Sequence, residues 1–143
     1  MENFYVNGSG DIRAHSSSNA PRKWRFGVQN PLNPSSDYKI GIVQLKTGSV
    51  SSSGGYVEKN KINNTNFDHH IINPKNGFSS QKTIASTVYA TSALLSDVFA
   101  TTLMCMNPQA GIKLLNKQKL AGVVVTDLGN CLLSNLAIKN FGL

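Results

Sequence analysis

A single carboxylate lies in the middle of a long apolar segment, and a hydroxyl side chain follows it at a spacing that suits metal binding. The residues from Val88 to Met106 are almost all apolar or small, and Asp97 is the acid among them, within LLSDVFATT, residues 94–102. An ionised carboxylate buried without a partner is strongly unfavourable. Thr101 follows one helical turn after Asp97, so on a helix the two side chains point the same way. Two oxygen ligands at this spacing suit Mg²⁺, and the alternative is a surface aspartate on an amphipathic helix.

The segment around Asp97 is predicted to be a core helix rather than a membrane span. The acid sits near its centre, where a charge in a bilayer costs most, and several hydroxyl side chains interrupt it. Thr91 or Ser92 can cap the N-terminus of a helix over residues 91–106. The face predicted to be buried follows helical spacing and comprises Leu95, Val98, Phe99, Thr102, Leu103 and Met106. Asp97 and Thr101 then lie on another face, away from this stripe.

Three short polar stretches could also carry chemistry. The glycines of VNGSGDIRA, residues 6–14, permit a tight turn, and the backbone N–H groups of SVSSSGGYVEK, residues 49–59, could face an anion. HHIINPKNG, residues 69–77, places two histidines before a turn, and histidine is the usual proton carrier near neutral pH. Because side chains alternate along a strand, only one of His69 and His70 is expected to reach a site. Taken singly, each stretch also fits an ordinary turn, loop or edge strand.

Length favours one globular domain over residues 1–143, and the positive net charge leaves nucleic-acid binding as a minor hypothesis that the scattered distribution of the basic residues weakens. The chain has 143 residues, 40% of them hydrophobic, and a net charge of +7. Its basic residues are scattered, except in RKWR, residues 22–25, which also fits a strand with solvated flanking charges. A phosphate-bearing cofactor would be attracted by the same positive charge. No Walker-type phosphate loop or dinucleotide glycine fingerprint is present.

The order of elements predicts an α+β fold, a largely antiparallel sheet with helices packed on one face. Strands are predicted at residues 3–6, 24–29, 39–45, 48–53, 69–73 and 82–90, with the first four suggesting a meander. A polar loop is predicted over 58–68, helices over 91–106 and 108–117, and two strands around Gly129-Asn130 at the end. MENFYVNGSG is not an export signal, so the chain as written is expected to be cytoplasmic.

Taken in order, the motifs resemble the C-terminal half of the FAD:protein FMN transferases, the ApbE-type flavin transferase family. The resemblance runs from about Asn3 to Asp127 and rests on the stretches NGSGDIRA, WRFGVQNP, SGGY, HIINPKNG and ATSALLSDVFAT. It implies an enzyme that uses Mg²⁺ and FAD as substrate, releases AMP, and attaches FMN to a threonine or serine hydroxyl of an acceptor protein. The acceptors are typically subunits of membrane redox pumps or flavin-carrying reductases, and family members are often exported and membrane-associated.

The resemblance also implies roles for individual residues. Asp97 and Thr101 match the metal ligands, and His70 matches the histidine near the reacting phosphate, a candidate base. The residues matched to flavin-nucleotide contacts lie in two loops and are Asn7, Ser9, Gly10, Asp11, Ser53, Gly54 and Tyr56. Such a site suits phosphoryl transfer, which needs positioning, a metal and help in deprotonating a hydroxyl.

The chain departs from the family pattern at three positions and in length. Ser9 replaces a glycine, Gly55 replaces an acid, and Asn73 replaces the aspartate before the proline. Family members are roughly twice as long, and their upstream half supplies much of the flavin pocket. We therefore expect a second chain or self-association to complete the site. The alternative is a catalytically inactive remnant that binds flavin nucleotide or a partner.

Overall fold

The computed structural model describes residues 2–34, 37–56, 60–61 and 67–142. Strands run through most of these ranges. In chain order they are β1 (Phe4–Gly8), β2 (Asp11–His15), β3 (Trp24–Gln29), β4 (Lys39–Leu45), β5 (Gly48–Gly54), β6 (Asn60–Lys61), β7 (Phe67–Asp68), β8 (Thr83–Ala90), β9 (Ala121–Thr126), β10 (Cys131–Leu133) and β11 (Phe141–Gly142).

Among the described residues, three helices lie in the C-terminal half, and each begins at a polar cap. They are α1 (Ala93–Met104), α2 (Pro108–Lys117) and α3 (Asn135–Asn140). The caps are Ser92, Asn107 and Ser134, whose side-chain oxygens accept hydrogen bonds from backbone N–H groups of the first turn. Pro108 opens α2, where its fixed φ is favourable and its missing N–H costs nothing.

Nine of the eleven described strands form two antiparallel sheets that pack in layers with the helices, and β6 and β7 form a separate two-stranded ladder. The large sheet has the order β1-β2-β5-β8-β9-β10, and a smaller sheet has the order β11-β4-β3. Helix α1 packs on β5 and β8, and α2 packs on β9. The predicted α+β class, a largely antiparallel sheet with helices on one face, is therefore confirmed.

Two apolar clusters, one on each face of the large sheet, form the core. The helix-side cluster comprises Val88, Ala100, Leu103, Leu115 and Val124. The cluster facing the small sheet comprises Ala14, Trp24, Val28, Val43, Leu45, Val50, Ala121, Val123, Ala137 and Phe141. Neighbouring Val123 and Val124 serve opposite clusters because side chains alternate along β9. Both faces of the large sheet are therefore covered.

The predicted meander is wrong, because β4 and β5 belong to different sheets. β4 pairs with β3 and β11, whereas β5 pairs with β2 and β8. Only a short connection separates β4 from β5, so the sequence favours a hairpin, but both strands place valines in the core between the sheets. The β2 strand, missed in the sequence, forms the hairpin with β1 instead.

The two strands predicted around Gly129-Asn130 are present as β9 and β10, whereas the strand predicted over residues 69–73 is not formed. Residues 69–73 form only an isolated bridge, between Ile72 and Ser79. After β10, the chain enters α3 because the Ser134 hydroxyl accepts from Gly122 N and Ala137 N and donates to Leu120 O. This local cap therefore starts a helix directly after the three-residue strand β10.

The buried face of α1 also differs from the predicted stripe. Its buried residues are Ser96, Ala100, Leu103 and Met104, whereas Leu95 and Val98 are exposed. Small side chains bring the helix close to the sheet: the hydroxyls of Ser96 and Ser51 lie 2.9 Å apart, and the Ser86 hydroxyl donates to Ala100 O at 2.7 Å. Hydrogen bonding and close approach, rather than apolar area, therefore select this face.

The predicted loop over residues 58–68 falls largely outside the described residues. At its ends, β6 pairs with β7 in a two-residue ladder. Among the described helices, none combines the length and the hydropathy needed to cross a membrane.

Candidate functional site

A cavity of about 840 Å³ opens between the two sheets and extends to α1. Nine of the ten residues predicted for the site line it: Asn7, Ser9, Gly10, Ser53, Gly54, Tyr56, His70, Asp97 and Thr101. Asp11 does not line it. Segments far apart in sequence are therefore brought to one concave surface, of a size typical of small-molecule sites.

Helix α1 forms one wall of this cavity, on which Asp97 and Thr101 lie one turn apart. Both side chains are exposed, so the carboxylate is not buried without a partner. The Thr101 hydroxyl lies 3.1 Å from the Ser53 hydroxyl at the end of β5. Three oxygen-bearing side chains, one of them a carboxylate, therefore line this end of the cavity.

Alternation along β5 explains how its serines serve both faces of the sheet. Ser51 and Ser53 point toward α1, whereas Ser52 lies on the opposite face and is hydrogen-bonded to Thr87 on β8 at 2.8 Å. Ser52 and Thr87 line the same cavity, a contribution that the sequence analysis missed. The serine-rich composition of β5 was the sequence signal from which the contribution of Ser52 could have been predicted.

The β1–β2 hairpin turn lies at another side of the cavity. Ser9 and Gly10 both have positive φ, 54° and 104°, as a type I′ turn requires. The Asn7 side chain accepts a hydrogen bond from Gly10 N at 2.9 Å and so fixes the turn. Asp11 pairs with Gly8 below the turn, and its exposed side chain lies outside the cavity lining.

Tyr56 is tied across the cavity to the small sheet. Its hydroxyl donates to the Gln29 side-chain carbonyl at 3.3 Å, and the Gln29 amide donates to Pro34 O at 2.6 Å. Burial raises the pKa of Tyr56, so it remains a hydrogen-bond donor at neutral pH. Gln29 was not among the predicted site residues, although it lies within WRFGVQNP.

The two adjacent histidines have different environments. His70 is exposed and lines the cavity, whereas His69 is half-buried and lies outside the lining. His69 Nδ1 accepts from Ile71 N at 3.2 Å, and Nε2 lies 2.9 Å from Ser80 O. His70 is therefore the histidine of the pair that faces the candidate site.

Two of the three positions that depart from the family pattern, Gly55 and Asn73, make contacts that account for the residue found there. A Cβ atom at Gly55 would lie 2.3 Å from the His69 ring, so this position has no room for a side chain while the ring is there. The Asn73 amide donates to Cys105 O at 3.1 Å, and its carbonyl accepts from Lys75 N at 3.0 Å. Asparagine supplies a donor that aspartate lacks and so connects the 73–77 turn to the C-terminal end of α1.

The remaining titratable groups near the site are not grouped as a multidentate metal centre. Within the described ranges, no three His, Cys, Asp or Glu side chains are close enough together to hold a metal. Cys105 lines the cavity, and burial raises its pKa, which disfavours the reactive thiolate.

The RKWR stretch, residues 22–25, packs within the protein. Arg22 lies over the ring of the buried Trp24, 4.3 Å from its centroid, so the tryptophan ring is not presented to an external ligand.

A sequence model of the ApbE family matches residues 1–124. The chain is 23% identical over 131 residues to the FAD:protein FMN transferase of Escherichia coli K12, covering 91% of this chain and 37% of that protein. It is 27% identical over 122 residues to the FAD:protein FMN transferase of Buchnera aphidicola subsp. Baizongia pistaciae, covering 85% and 35% respectively. The chain thus spans just over a third of the length of these relatives.

Solved structures share the fold. The ApbE protein of Thermotoga maritima superposes with a TM-score of 0.83 at 20% identity, covering 96% of this chain and 44% of that one. The apo form of the Pseudomonas stutzeri flavinyl transferase ApbE gives a TM-score of 0.72 at 21% identity, covering 99% and 44%. On the family match over most of its length, this chain belongs to the ApbE family.

Proposed function

We propose that this chain carries the metal- and phosphate-facing part of a protein flavinylation site, which transfers FMN from FAD to a threonine or serine hydroxyl of an acceptor protein. The observation that carries the proposal is the single cavity that collects nine of the ten residues predicted from the sequence. The names of the relatives, FAD:protein FMN transferases, support FAD as the substrate and a protein as the acceptor.

The donor set at α1 fits Mg²⁺ as a partial site. Asp97 and Thr101 would hold the ion, and Ser53, hydrogen-bonded to Thr101, would orient that hydroxyl. All of these donors are hard oxygens, and Mg²⁺ commonly takes one or two carboxylates and completes its shell with waters and phosphates. When bound, the ion would neutralise charge on the pyrophosphate.

Other residues of the cavity would bind the flavin nucleotide. The cavity wall between the sheets is largely apolar, with Val50, Val123 and Phe26 among its residues, and suits a flat ring system. The backbone of the Ser9-Gly10 turn and the serine loop before Tyr56 would contact the polar nucleotide.

In the reaction, the acceptor hydroxyl oxygen forms a bond to the FMN phosphorus, and the bond from that phosphorus to the bridging oxygen breaks. AMP leaves with the bridging oxygen. His70 would accept the hydroxyl proton, since its imidazole is exposed and lines the cavity, and histidine is the usual proton carrier in such reactions.

The alternative function is binding of a flavin nucleotide or a partner without catalysis. It is favoured by the scarcity of carboxylates: Gly55 and Asn73 stand where the family carries acids, and Asp97 is the single carboxylate among the lining residues of the cavity. A site with one carboxylate binds Mg²⁺ weakly unless phosphates or another chain complete the shell.

The test is to incubate the protein with Mg²⁺, FAD and a threonine-bearing acceptor peptide. The incubation is done with and without a second polypeptide, the part of a relative that this chain does not match. Flavin fluorescence on the peptide that survives denaturation, together with AMP release, would support transfer. His70→Ala should lower AMP release while FAD binding persists, whereas His15→Ala, a histidine outside the cavity, should not. FAD binding without transfer under both conditions would favour the alternative.

A further inference from the structure

His69 is held in place by three segments of the chain, although it does not line the cavity. Its Nδ1 accepts a hydrogen bond from Ile71 N, and its Nε2 lies within hydrogen-bond distance of Ser80 O. The side of its ring rests on Gly55, at the end of the serine loop. The neighbouring residues Ile71 and His70 both line the cavity.

We propose that His69 is a positioning residue that sets His70 against the loop of residues 53–56. The inference deepens the proposed function, in which His70 accepts the proton of the acceptor hydroxyl. His69 itself does not contact the substrate; it acts through the placement of its neighbours.

The hydrogen-bond pattern determines the tautomer of His69. A nitrogen that accepts from Ile71 N must carry a lone pair, so the ring proton is on Nε2, which donates to the Ser80 carbonyl. With both nitrogens bonded to backbone groups, the ring cannot rotate without losing both bonds. The backbone between residues 69 and 71, which carries His70, is therefore fixed in direction.

Gly55 provides the surface against which this ring is located. Its N–H donates to Ile84 O at 3.2 Å. This hydrogen bond fixes the loop to the start of β8 and opposes its movement away from His69. A Cβ atom there would lie 2.3 Å from Cδ2 and 2.6 Å from Cγ of His69, and Cγ is near the root of the side chain. Gly55 and His69 are thus a matched pair, and the absence of a side chain at position 55 makes room for the ring.

The first experiment measures the tautomer directly by long-range ¹H–¹⁵N NMR of the imidazoles, at a pH of about 8, where an ordinary histidine is neutral. The chain has three histidines, so single Asn substitutions assign the signals. We expect the His69 signals of a fixed Nε2–H tautomer. An Nδ1–H tautomer, or averaging between the two, would overturn the proposal.

The second experiment separates the two hydrogen bonds of His69. His69→Asn retains an acceptor for Ile71 N, His69→Gln retains a donor toward Ser80 O, and His69→Ala retains neither. We expect the His70 ring signals to shift in His69→Ala and to return toward those of the parent in His69→Asn. His15→Ala is the control and should leave the His70 signals unchanged. Unchanged His70 signals in folded His69→Ala would contradict a positioning role.

A double-mutant comparison tests the pair independently of flavin chemistry. Gly55→Ala should lower the midpoint of thermal unfolding in the parent protein, because the methyl group displaces the ring, and much less in the His69→Ala background. Gly8→Ala is the matched control, since no atom lies within 4 Å of its added Cβ, and its effect should be the same in both backgrounds. Equal effects of Gly55→Ala in the two backgrounds would show that the pair is not coupled.

Transfer kinetics connect the inference to the site. In an active preparation, His69→Ala should lower kcat on the order of tenfold to a hundredfold, with the KM for FAD little changed and with partial rescue by His69→Asn. If the parent protein transfers no FMN either alone or with the added second polypeptide, the proposed function fails, while the NMR and double-mutant results still decide the role of His69. An unchanged kcat in His69→Ala would overturn that role.

Discussion

The cavity has two kinds of wall, and they are held in place by different interactions. On the helix wall, Asp97 and Thr101 project from α1, whose opposite face is packed into the core. On the turn wall, residues 70–72 and the Ser9-Gly10 turn line the cavity, and their placement depends on a few hydrogen bonds between backbone groups and the side chains of His69, Asn73 and Asn7.

This difference separates the effects of substitutions. A side chain on the exposed face of α1 can be truncated to alanine without disturbing the helix. Such a substitution should alter metal binding or catalysis and leave the free energy of unfolding almost unchanged. A residue that braces a turn should alter both.

Removing the core contact behind the helix wall should have the largest effect. Leu103 is fully buried on α1, and a Cβ at Gly111 of α2 would lie 2.8 Å from its Cδ2, so the two helices are in close contact there. Leu103→Ala should lower the free energy of unfolding by about 2–5 kcal/mol, measured by urea denaturation.

The matched control is Leu95→Ala on the exposed side of the same helix, expected to change stability by no more than about 0.5 kcal/mol. Equal losses for the two leucines would restore the stripe predicted from the sequence and contradict the helix face described above.

Removing the carboxylate should affect metal-dependent chemistry and not folding. Because Asp97 is exposed, Asp97→Ala should leave the free energy of unfolding within about 0.5 kcal/mol of the parent. Calorimetric titration of Mg²⁺ with a flavin nucleotide present should show a loss of affinity, and AMP release should fall by about a hundredfold or more, because loss of a residue that merely orients a metal ligand already costs about tenfold to a hundredfold. Asp37→Ala, at another exposed aspartate, is the control. Parent-like Mg²⁺ affinity in Asp97→Ala would contradict the proposal that Asp97 is a metal ligand.

On the turn wall, Asn73→Asp should destabilise the protein by about 1–3 kcal/mol, because Cys105 O loses its donor and faces a carboxylate at the C-terminal end of α1. Chemical denaturation measures the loss. Asn76→Asp tests position, since the Asn76 side chain accepts from Phe78 N, a bond that aspartate retains. If both substitutions cost the same, the amide donor of Asn73 is not what secures the turn.

The sequence predicts the helix wall better than the turn wall, for a physical reason. Ser92, Asn107 and Pro108 specify the helix starts through local hydrogen bonds and a fixed φ, so α1 and α2 begin where the sequence indicates. The spacing of Asp97 and Thr101 then follows from helix geometry alone.

The contacts of the turn wall depend on distant partners that no local pattern encodes. His69 is held by Ser80 and Gly55, and Asn73 by Cys105. For the same reason, the sequence did not reveal that β4 and β5 enter different sheets. Which face of α1 is buried depends likewise on serines of β5 and β8, across the layer.

The smallest expected effect is at the tip of the turn wall, where Ser9 has a left-handed conformation. Its φ of 54° is unfavourable for a residue with a Cβ, and glycine accepts it without that penalty. Ser9→Gly should therefore stabilise the protein slightly, by up to about 1 kcal/mol, less the extra entropy that glycine gives the unfolded chain. Ser9→Ala retains the strain, so it serves as the comparison and should be less stable than Ser9→Gly. Thermal and urea unfolding of the two variants measure the difference. If Ser9→Ala were the more stable of the two, the left-handed φ at position 9 would carry no energetic penalty. A serine could then replace the family's glycine at this position without any loss of stability.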